Sequence, residues 1–464
     1  MTPHVQYRSP LSLPPDIDIA IWGTGSQGLN VFEVLSQERP DIRVSYFIDS
    51  FREGVLLGRP IIKPNQIDAM PSVDMVLVAS HFQSEIISSM PQPLLQKTSV
   101  AHSRFTRSLR FAKGKANFTE TILVELTQFC VMACEFCTHR IRPNSTIMPF
   151  DQFESIIDQI ATDHLANAVE LSGLGEPLLY RHIFDAVKLS KSKGLAPCFL
   201  TNGVLLTPEV LTRLNANGMY RLFVSLQTIS PESYQHRGIK IDKTFQEYMN
   251  QICAVIETHV AEKFETKLFF KLLYAKPEWT ISQIWNLPGI VNDTVHAVSV
   301  FEPFHKQLSN ISRRQNIPLM ISINDFADAL NCLDETGYNS IELQIFPGIE
   351  IHLTNLHPVF HTDMMALNRE RLTQFRYVLP ERMDCTLIEL PYITATCDVF
   401  PCPSNLFDPK DAEELCLGNV KTTRLRDILT GDKYRTLSCK ALTGTLDFNV
   451  CRKCKTRYQK VNHA

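Results

Sequence analysis

Three closely spaced cysteines are the residues of this chain with the clearest chemical potential. Cys130, Cys134 and Cys137 have the spacing C-x3-C-x2-C within CVMACEFC, shortly after the apolar segment TILVEL. Three thiolates on one short loop can hold three corners of a cubane iron–sulfur cluster and leave its fourth iron open. An open iron can bind a substrate or cofactor, whereas a fully ligated cluster mainly transfers electrons. Zinc usually takes four ligands as two CxxC-type pairs, so the triplet fits zinc poorly.

The other cysteines indicate which environment the protein occupies. The chain has 13 cysteines in 464 residues. Its N-terminus has no basic segment followed by a long apolar run, so we expect no signal peptide. We find no apolar run of roughly 18 residues, so we also expect no membrane span. An odd cysteine count without an export signal argues against a disulfide framework and predicts a cytoplasmic protein with metal ligands and buried thiols.

Composition and charge limit the partner classes. Hydrophobic residues make up 44% and charged residues 20% of the chain, which is typical of globular proteins. The chain has 46 Lys and Arg residues and 49 Asp and Glu residues, which give a formal net charge of -3. Because there is no basic excess, we expect no nucleic-acid partner. At roughly 100–200 residues per domain, the length predicts two or three domains.

Alternating strand and helix patterns predict an α/β protein. The segments DIAIWG, RVSYFID and VDMVLVAS give an N-terminal Rossmann-like βαβ pattern with a parallel sheet. Six later strand candidates with helical stretches between them predict a partial (β/α)6 TIM-like barrel; they are TILVEL, AVELSG, PCFLTN, RLFVSLQ, TKLFFKLLY and AVSVFE. We expect a Rossmann-like domain over residues 1–97, a linker over 98–118, the barrel over 119–323 and a small cysteine-rich extension over 324–464.

The cysteine loop resembles the signature of the radical S-adenosylmethionine (SAM) superfamily, including aromatic Phe136 directly before the last cysteine. In that family the open iron binds the amino and carboxylate groups of SAM. One electron from the cluster then breaks the sulfonium C–S bond, and the resulting 5′-deoxyadenosyl radical removes a hydrogen atom from the substrate. The resemblance implies a [4Fe–4S] cluster on Cys130, Cys134 and Cys137, SAM as cofactor, a small-molecule substrate, and an electron donor such as flavodoxin or ferredoxin.

Further segments resembling the family's motifs follow the predicted strands at their C-terminal ends, where barrel active sites are built. SGLGEP is similar to the family's GGEP segment, with Leu174 in the place of the first glycine. LTNG and VSLQT follow the next two strands, and YQHRG supplies Arg237, whose guanidinium suits a carboxylate. A surface arginine is the alternative for Arg237. The SAM contacts that the resemblance implies are Phe136, Gly175, Glu176, Pro177, Asn202, Ser225, Gln227 and Arg237.

A second cysteine group lies near the C-terminus and resembles the SPASM extension or its shorter form, Twitch. It contains an LGN-type segment before the final CRKC, and only ten residues follow CRKC. The resemblance implies one auxiliary [4Fe–4S] cluster, and a zinc site is the alternative. The implied ligands are Cys385, Cys402, Cys451 and Cys454. The family often has glycine where Cys397 stands, so Cys397 is an additional thiol and the candidate hydrogen donor for an epimerisation.

The segment WGTGSQG places three glycines in a G-x-G-x-x-G arrangement between a predicted strand and a predicted helix. Gly23, Gly25 and Gly28 would let a phosphate approach the helix N-terminus, and Asp49, at the end of the next strand, would accept from ribose hydroxyls. The sequence leaves nucleotide binding and a structural or partner-docking role open for this domain.

Three functions follow as hypotheses. The first is a radical SAM oxidoreductase or isomerase that removes hydrogen from a small polar substrate, such as a sugar or nucleotide-linked sugar, in a dehydrogenation or epimerisation. The second is a peptide or protein maturase of the SPASM type. The third is a non-catalytic iron–sulfur scaffold.

Overall fold

The chain folds into two compact units. The computed structural model describes residues 5–7, 10, 13–24, 26–50, 52–79, 86–87, 90, 92–101, 119–134, 137, 146–227, 229–274, 294–336, 340–355, 377–378, 385, 388, 390–403, 413–442, 445–448, 451 and 459–460. The first unit comprises Met1–Asn117, Glu381–Glu389 and Thr430–Leu446, and the second comprises Phe118–Pro380, Leu390–Leu429 and Asp447–Ala464. Three residues of the predicted sites, Gly25, Phe136 and Cys454, lie outside the described residues.

The first unit contains a seven-stranded sheet with the order β1-β7-β6-β2-β3-β5-β4. Its strands are β1 (Val5–Tyr7), β2 (Asp18–Trp22), β3 (Arg43–Ile48), β4 (Gly54–Leu56), β5 (Arg59–Ile62), β6 (Met75–Val78) and β7 (Thr98–Ala101). All neighbours are parallel except the β4–β5 pair. Helix α1 (Ser26–Glu38) follows β2, and α2 (Gln92–Leu95) precedes β7. Strand β7 lies within the residues predicted as the start of the linker.

Burial on both faces explains why the central strands read as continuous apolar runs. Ile19 and Ile21 of β2 belong to one buried cluster, and Ala20 and Trp22 belong to another. A strand covered on both faces needs apolar residues at every position. The predicted α/β class of this region is confirmed.

The second unit is built on a ten-stranded sheet with the order β13-β14-β12-β11-β10-β9-β8-β16-β17-β18. Its strands are β8 (Thr119–Val124), β9 (Ala166–Glu170), β10 (Ala196–Thr201), β11 (Arg221–Gln227), β12 (Lys267–Tyr274), β13 (Ser340–Phe346), β14 (Ile349–Asn355), β16 (Tyr392–Ile393), β17 (Asp398–Phe400) and β18 (Gly418–Asn419). Strands β15 (Tyr377–Val378) and β19 (Gln459–Lys460) form a separate pair. Strands β8 to β12 and β14 are parallel neighbours, which confirms the predicted parallel α/β architecture.

Helices connect the parallel strands of the second unit. They are α3 (Phe150–Thr162), α4 (Ile183–Ser192), α5 (Pro208–Ala216), α6 (Pro231–His236), α7 (Phe245–Glu262), α8 (Thr294–Gln315), α9 (Ile323–Thr336) and, further on, α10 (Leu425–Thr430). Their sequences contain clear start signals: Thr207 caps α5 before Pro208, and Thr244 with Glu247 forms a capping box on α7. In the described residues we find no helix long and apolar enough to cross a membrane.

The predicted sixth strand, AVSVFE, was wrong, because these residues lie inside helix α8. The buried residues of α8 recur at helical spacing, which a six-residue window cannot reveal; they are Ala297, Phe301, Phe304, Leu308 and Ile311. The sixth parallel strand is β14, which pairs with β12 and lies within the residues predicted as the C-terminal extension.

Part of the C-terminal region extends the same sheet beyond its first strand. Strand β16 pairs in parallel with β8, and β17 and β18 follow in antiparallel order. Helix α11 (Asp432–Leu442) belongs to the first unit. The domain bounds given by the sequence stay a prediction.

Candidate active site

The three loop cysteines follow β8 and are half-buried. The Cys137 N–H donates to the Cys134 carbonyl over 3.0 Å, and the Met132 N–H donates to Cys130 Sγ over 3.4 Å. Burial raises the pKa of the Cys130 thiol, and the Met132 N–H opposes that rise. Burial also raises the pKa of Cys134, and the positive charge of Arg237 opposes it. The loop therefore already contains groups that favour thiolates, the form that binds metal.

The SGLGEP segment lies directly against this loop. A Cβ on Gly175 would lie 2.2 Å from the Thr127 carbonyl oxygen and 2.7 Å from that of Phe129, so only glycine fits. The Glu176 N–H donates to the Phe129 carbonyl over 2.7 Å. Pro177 is buried and begins a short 3-10 turn.

The Glu176 side chain holds the LTNG turn. One carboxylate oxygen accepts from Thr201 Oγ1 over 2.6 Å, and the other accepts from the Asn202 N–H over 2.8 Å. Burial raises the pKa of Glu176, and these hydrogen bonds oppose the rise. Asn202 Nδ2 then lies 3.7 Å from Cys130 Sγ. Glu176 thus positions Asn202 against the cluster loop, a role that the motif did not reveal.

Arg237 is a buried residue, not the surface arginine of the alternative hypothesis, with 2% exposure. Its Nη2 donates to the Ser225 carbonyl over 2.9 Å, and its own carbonyl accepts from the Ala133 N–H over 3.1 Å. Gln227 donates to Ser225 Oγ, as expected for two side chains on one strand face. Gln227 has φ 63°, a left-handed conformation that is costly for a non-glycine residue.

Two buried polar atoms at this position have no hydrogen-bond partner among the described residues: Gln227 Oε1 and Arg237 Nε. A buried polar atom without a partner costs about 1–3 kcal/mol. One atom accepts and the other donates, which matches the ammonium and carboxylate groups of an amino acid such as the methionyl part of SAM. The residues present therefore fit SAM beside a cluster on the cysteine loop.

Sequence reasoning missed Glu125, which is fully buried at the end of β8. One carboxylate oxygen accepts from the Leu174 N–H over 2.9 Å. The other accepts from Gln128 Nε2 over 2.9 Å and from the Ala395 N–H over 3.1 Å. Glu125 thus links the start of the cluster loop, the SGLGEP segment and the turn after β16. The available signal was a charged residue at the end of the apolar run TILVEL.

The described auxiliary cysteines are distributed over both units. Cys385 belongs to the first unit, where its N–H donates to the Ala441 carbonyl over 3.3 Å. Cys402 is buried in the second unit, and Cys451 is half-buried there. A cluster held by these residues and Cys454 stays a prediction.

Cys397 occupies the turn between β16 and β17. It is fully buried and has φ 72°, the left-handed conformation for which glycine is the default residue. Its N–H donates to the Thr394 carbonyl over 2.8 Å, and burial raises the pKa of its thiol. Glycine would adopt the backbone conformation of Cys397 without strain.

In the first unit, the polar groups around the glycine turn after β2 hydrogen-bond to one another. A Cβ on Gly28 would lie 2.0 Å from the Gly23 carbonyl oxygen. Asp49 accepts from the Thr24 N–H over 3.3 Å and from the Thr24 hydroxyl, and its other oxygen accepts from the Arg52 N–H over 3.0 Å. The carboxylate that would accept from a ribose therefore already binds three protein donors.

Comparisons with known proteins agree with this geometry. The model of the radical SAM superfamily matches residues 124–262, and that of an iron–sulfur cluster-binding domain, SPASM, matches residues 385–455. An AdoMet-dependent heme synthase of Methanosarcina barkeri is 30% identical over 128 residues, which cover 26% of this chain and 36% of the relative. An uncharacterized protein of Methanocaldococcus jannaschii is 25% identical over 224 residues, covering 48% of this chain and 71% of the relative.

A third relative is the PqqA peptide cyclase of Xanthomonas campestris pv. campestris, 29% identical over 118 residues that cover 25% of this chain and 31% of the relative. The chain thus spans about a third of the length of the heme synthase and of the cyclase. The two matched regions contain the cysteine loop and the C-terminal cysteine group. The chain therefore contains a radical SAM domain, of the superfamily whose cofactors are SAM and a [4Fe–4S] cluster, and a C-terminal SPASM domain for auxiliary iron–sulfur binding.

Proposed function

We propose that this protein is an enzyme that reductively cleaves SAM and removes a hydrogen atom from a small polar substrate. The observation that carries the proposal is a pair of buried atoms, Gln227 Oε1 and Arg237 Nε, that have no partner in the described part of the chain and lie beside the half-buried cysteine loop. A non-catalytic scaffold would not need a buried acceptor and donor of this kind. When bound, the cluster supplies the electron that breaks the sulfonium C–S bond of SAM.

The residues of the chain bind and orient the cofactors. Cys130, Cys134 and Cys137 would hold the cluster. The Arg237 guanidinium would donate to the SAM carboxylate, and Gln227 Oε1 would accept from the SAM ammonium. Both side chains are held by Ser225, which accepts from Arg237 at its carbonyl and from Gln227 at its hydroxyl. Because Gln227 Oε1 and Arg237 Nε are themselves buried, water competes little for them.

For the substrate, we propose a sugar or nucleotide-linked sugar that is dehydrogenated or epimerised. The parallel α/β sheet of the first unit supports a nucleotide-linked substrate, although the internal bonding of Asp49 favours a docking role for the glycine turn. Epimerisation requires a hydrogen donor, and Cys397 stays the candidate because it is a thiol in the matched C-terminal region. The proposed reductant is a flavodoxin or ferredoxin.

Peptide maturation is the second candidate function. It is favoured by the similarity to the PqqA peptide cyclase over 118 residues. Anaerobic incubation with nucleotide sugars or with candidate precursor peptides, followed by mass spectrometry of the products, distinguishes the two. A hydrogen-depleted or inverted sugar supports the first function, and a cross-linked or otherwise modified peptide supports the second.

SAM cleavage tests the proposal itself. Anaerobically reconstituted and reduced protein should release 5′-deoxyadenosine from SAM, and replacement of the three loop cysteines by alanine should abolish the release. The control is Cys253→Ala, which removes a half-buried thiol of α7 whose pKa burial raises to about 11, and which should leave the release intact. Release that persists in the triple variant contradicts the assignment.

Iron analysis of the same triple variant tests the auxiliary cluster. Two four-iron clusters imply about eight irons per chain, and the variant should retain about four. Its remaining cluster should respond little to SAM, because four cysteine ligands leave no open iron. Zinc without residual iron after anaerobic reconstitution would reject the auxiliary cluster.

A further inference from the structure

A row of polar side chains crosses the sheet of the second unit beside the proposed SAM residues. Ser225 of β11 is paired with Lys271 of β12, and Lys271 is paired with His352 of β14. Directly paired residues on neighbouring strands project from the same face of a sheet. Lys271 therefore lies on the face that carries Ser225, whose hydroxyl accepts from Gln227, one strand further from the cysteine loop.

The Lys271 ammonium has no hydrogen bond and no ion pair among the described residues; its recorded neighbour is the Phe223 ring, whose centre lies 5.1 Å from Nζ. Burial lowers the pKa of Lys271, and the charge of Glu170 partly offsets this. A desolvated ammonium is costly unless an acceptor pairs with it, and an aromatic face compensates only in part. Its three N–H groups thus remain available to a ligand.

The neighbouring titratable groups do not provide a hydrogen-bond acceptor for the Lys271 ammonium. Burial raises the pKa of Glu170, at the end of β9, and the charge of Lys271 opposes that rise, but the two groups form no ion pair within the described residues. His352 is directed to acidic partners, with Nε2 at 3.4 Å from Glu350 Oε2 and 3.8 Å from Glu342 Oε1. Among the described residues, Lys271 therefore interacts with the charge of Glu170 but has no hydrogen-bonded anion.

Ser225 and Gln227 lie on the neighbouring strand β11, and Arg237, directly after α6, would already provide a donor for the SAM carboxylate. A ligand that lies next to SAM on this face would lie beside Lys271, the residue paired with Ser225. We propose that Lys271 binds an anionic group of the substrate, a carboxylate or a phosphate, and so fixes the substrate on β12 beside the SAM residues. This inference rests on the proposed function and specifies the substrate class: a small molecule or peptide that carries such an anion.

The test is acylation of lysine amines in SAM-saturated, reconstituted wild-type enzyme, with mass spectrometry of each modified lysine. Inorganic phosphate and acetate are the two probes. One of them should cause a saturable loss of labelling at Lys271, and the effective probe identifies phosphate or carboxylate as the recognised group. The internal control is Lys267 on the same strand, which is exposed above the Tyr220 ring at 5.7 Å and should label equally in all arms.

If Lys271 is labelled without added anion, unchanged labelling with both anions would overturn the proposal. Complete protection by SAM alone would also overturn it, because Lys271 would then be a SAM contact. If Lys271 resists labelling in every arm, the proposal is tested by the effect of the anions on the melting temperature of Lys271 variants. Phosphate or acetate should raise the melting temperature of the wild-type enzyme, and this rise should disappear in Lys271→Met and persist in Lys271→Arg and Lys267→Met. No rise with either anion would overturn the proposal.

The failure of this inference is distinguishable from the failure of the proposed function. Wild-type enzyme that releases no 5′-deoxyadenosine from SAM rejects the function. Wild-type enzyme that releases it, together with an anion response that Lys271→Met leaves unaltered, rejects only the subsite.

Discussion

The glycine turn after β2 and the SGLGEP turn after β9 lie in two separate units, and each contains a glycine that is packed against a backbone carbonyl. Gly28 has no space for a Cβ because of the Gly23 carbonyl oxygen at 2.0 Å, and Gly175 has none because of the Thr127 carbonyl oxygen at 2.2 Å. In both places glycine allows two backbone segments to approach closely. The glycines alone therefore do not distinguish a ligand site from a structural turn.

The polar atoms around the two turns differ. In the first unit, Asp49 binds Thr24 and the Arg52 N–H, so its carboxylate is used within the protein. In the second unit, Gln227 Oε1 and Arg237 Nε have no partner among the described residues. A structural turn satisfies its polar groups, whereas a ligand site keeps some for the ligand. The comparison favours SAM binding in the second unit and a docking or structural role for the first turn.

The largest expected effect on SAM affinity distinguishes substitution of Gly175 from substitution of Gly28. Gly175→Ala would force the Thr127 and Phe129 carbonyls, and with them the cysteine loop, to move. Overpacking costs about 1–3 kcal/mol, and because the neighbours are backbone atoms we expect the upper end, about a hundredfold loss of SAM affinity. Gly28→Ala should lower the melting temperature and leave SAM affinity unchanged. Equal effects of both variants on SAM binding would break the comparison.

The next effect concerns the two arginines near the turns. Arg237→Gln removes a buried guanidinium that donates to the Ser225 carbonyl, and we expect about 30-fold weaker SAM binding, from about 2 kcal/mol for a charged hydrogen bond. Arg52→Gln, which removes an exposed donor to the Thr24 carbonyl, should leave SAM binding unchanged. Isothermal titration with SAM measures both. Wild-type affinity in Arg237→Gln would show that its unpartnered Nε has no ligand role.

Glu125→Gln should have a smaller effect, about tenfold on SAM affinity, since one lost hydrogen-bond partner costs about 1–3 kcal/mol. The amide NH2 would face either the Leu174 N–H or the Ala395 N–H, so hydrogen exchange should speed up at one of these two positions. The matched control is Asp163→Asn, which changes another carboxylate bonded to the C-terminal segment: Asp163 directly follows α3 and pairs with Arg424 at 2.8 Å. That variant should lose stability and keep its SAM affinity.

The smallest effect is expected for Asp49→Ala. It removes the acceptor of Thr24 and of the Arg52 N–H, so we expect a stability loss of about 1 kcal/mol with unchanged iron content. The KM for a nucleotide-linked substrate should stay at the wild-type value. A raised KM with unchanged stability would contradict the structural role and restore nucleotide binding as the function of this turn.

The parts of the site that follow from local sequence could be predicted. The spacing of Cys130, Cys134 and Cys137 depends on eight consecutive residues, so no long-range information is needed to find the loop. Strand alternation likewise put Ser225 and Gln227 on one face, and they contact each other. The parallel strands were found because apolar runs of this length between helices are typical of covered sheets.

The parts that depend on distant partners could not be predicted. The donors to Glu125 come from Gln128, Leu174 and Ala395, and the last lies 270 residues away. The role of Glu176 depends on the register between β9 and β10, which sets the LTNG turn above it. For AVSVFE, the local apolar run fitted a strand, and only the whole length of α8 shows the helical period.

The pairing of β16 with β8 also bears on the order in which this protein folds. During synthesis β8 emerges long before Tyr392 and Ile393, the residues that cover its outer edge. Until they arrive, that edge presents unpaired N–H and C=O groups, which invite association with other chains. Contacts between such distant segments also form late, because closing a long loop costs entropy. The cysteine loop that follows β8 therefore reaches its final shape only after nearly the whole chain has been made, and cluster insertion is expected to be a post-translational step.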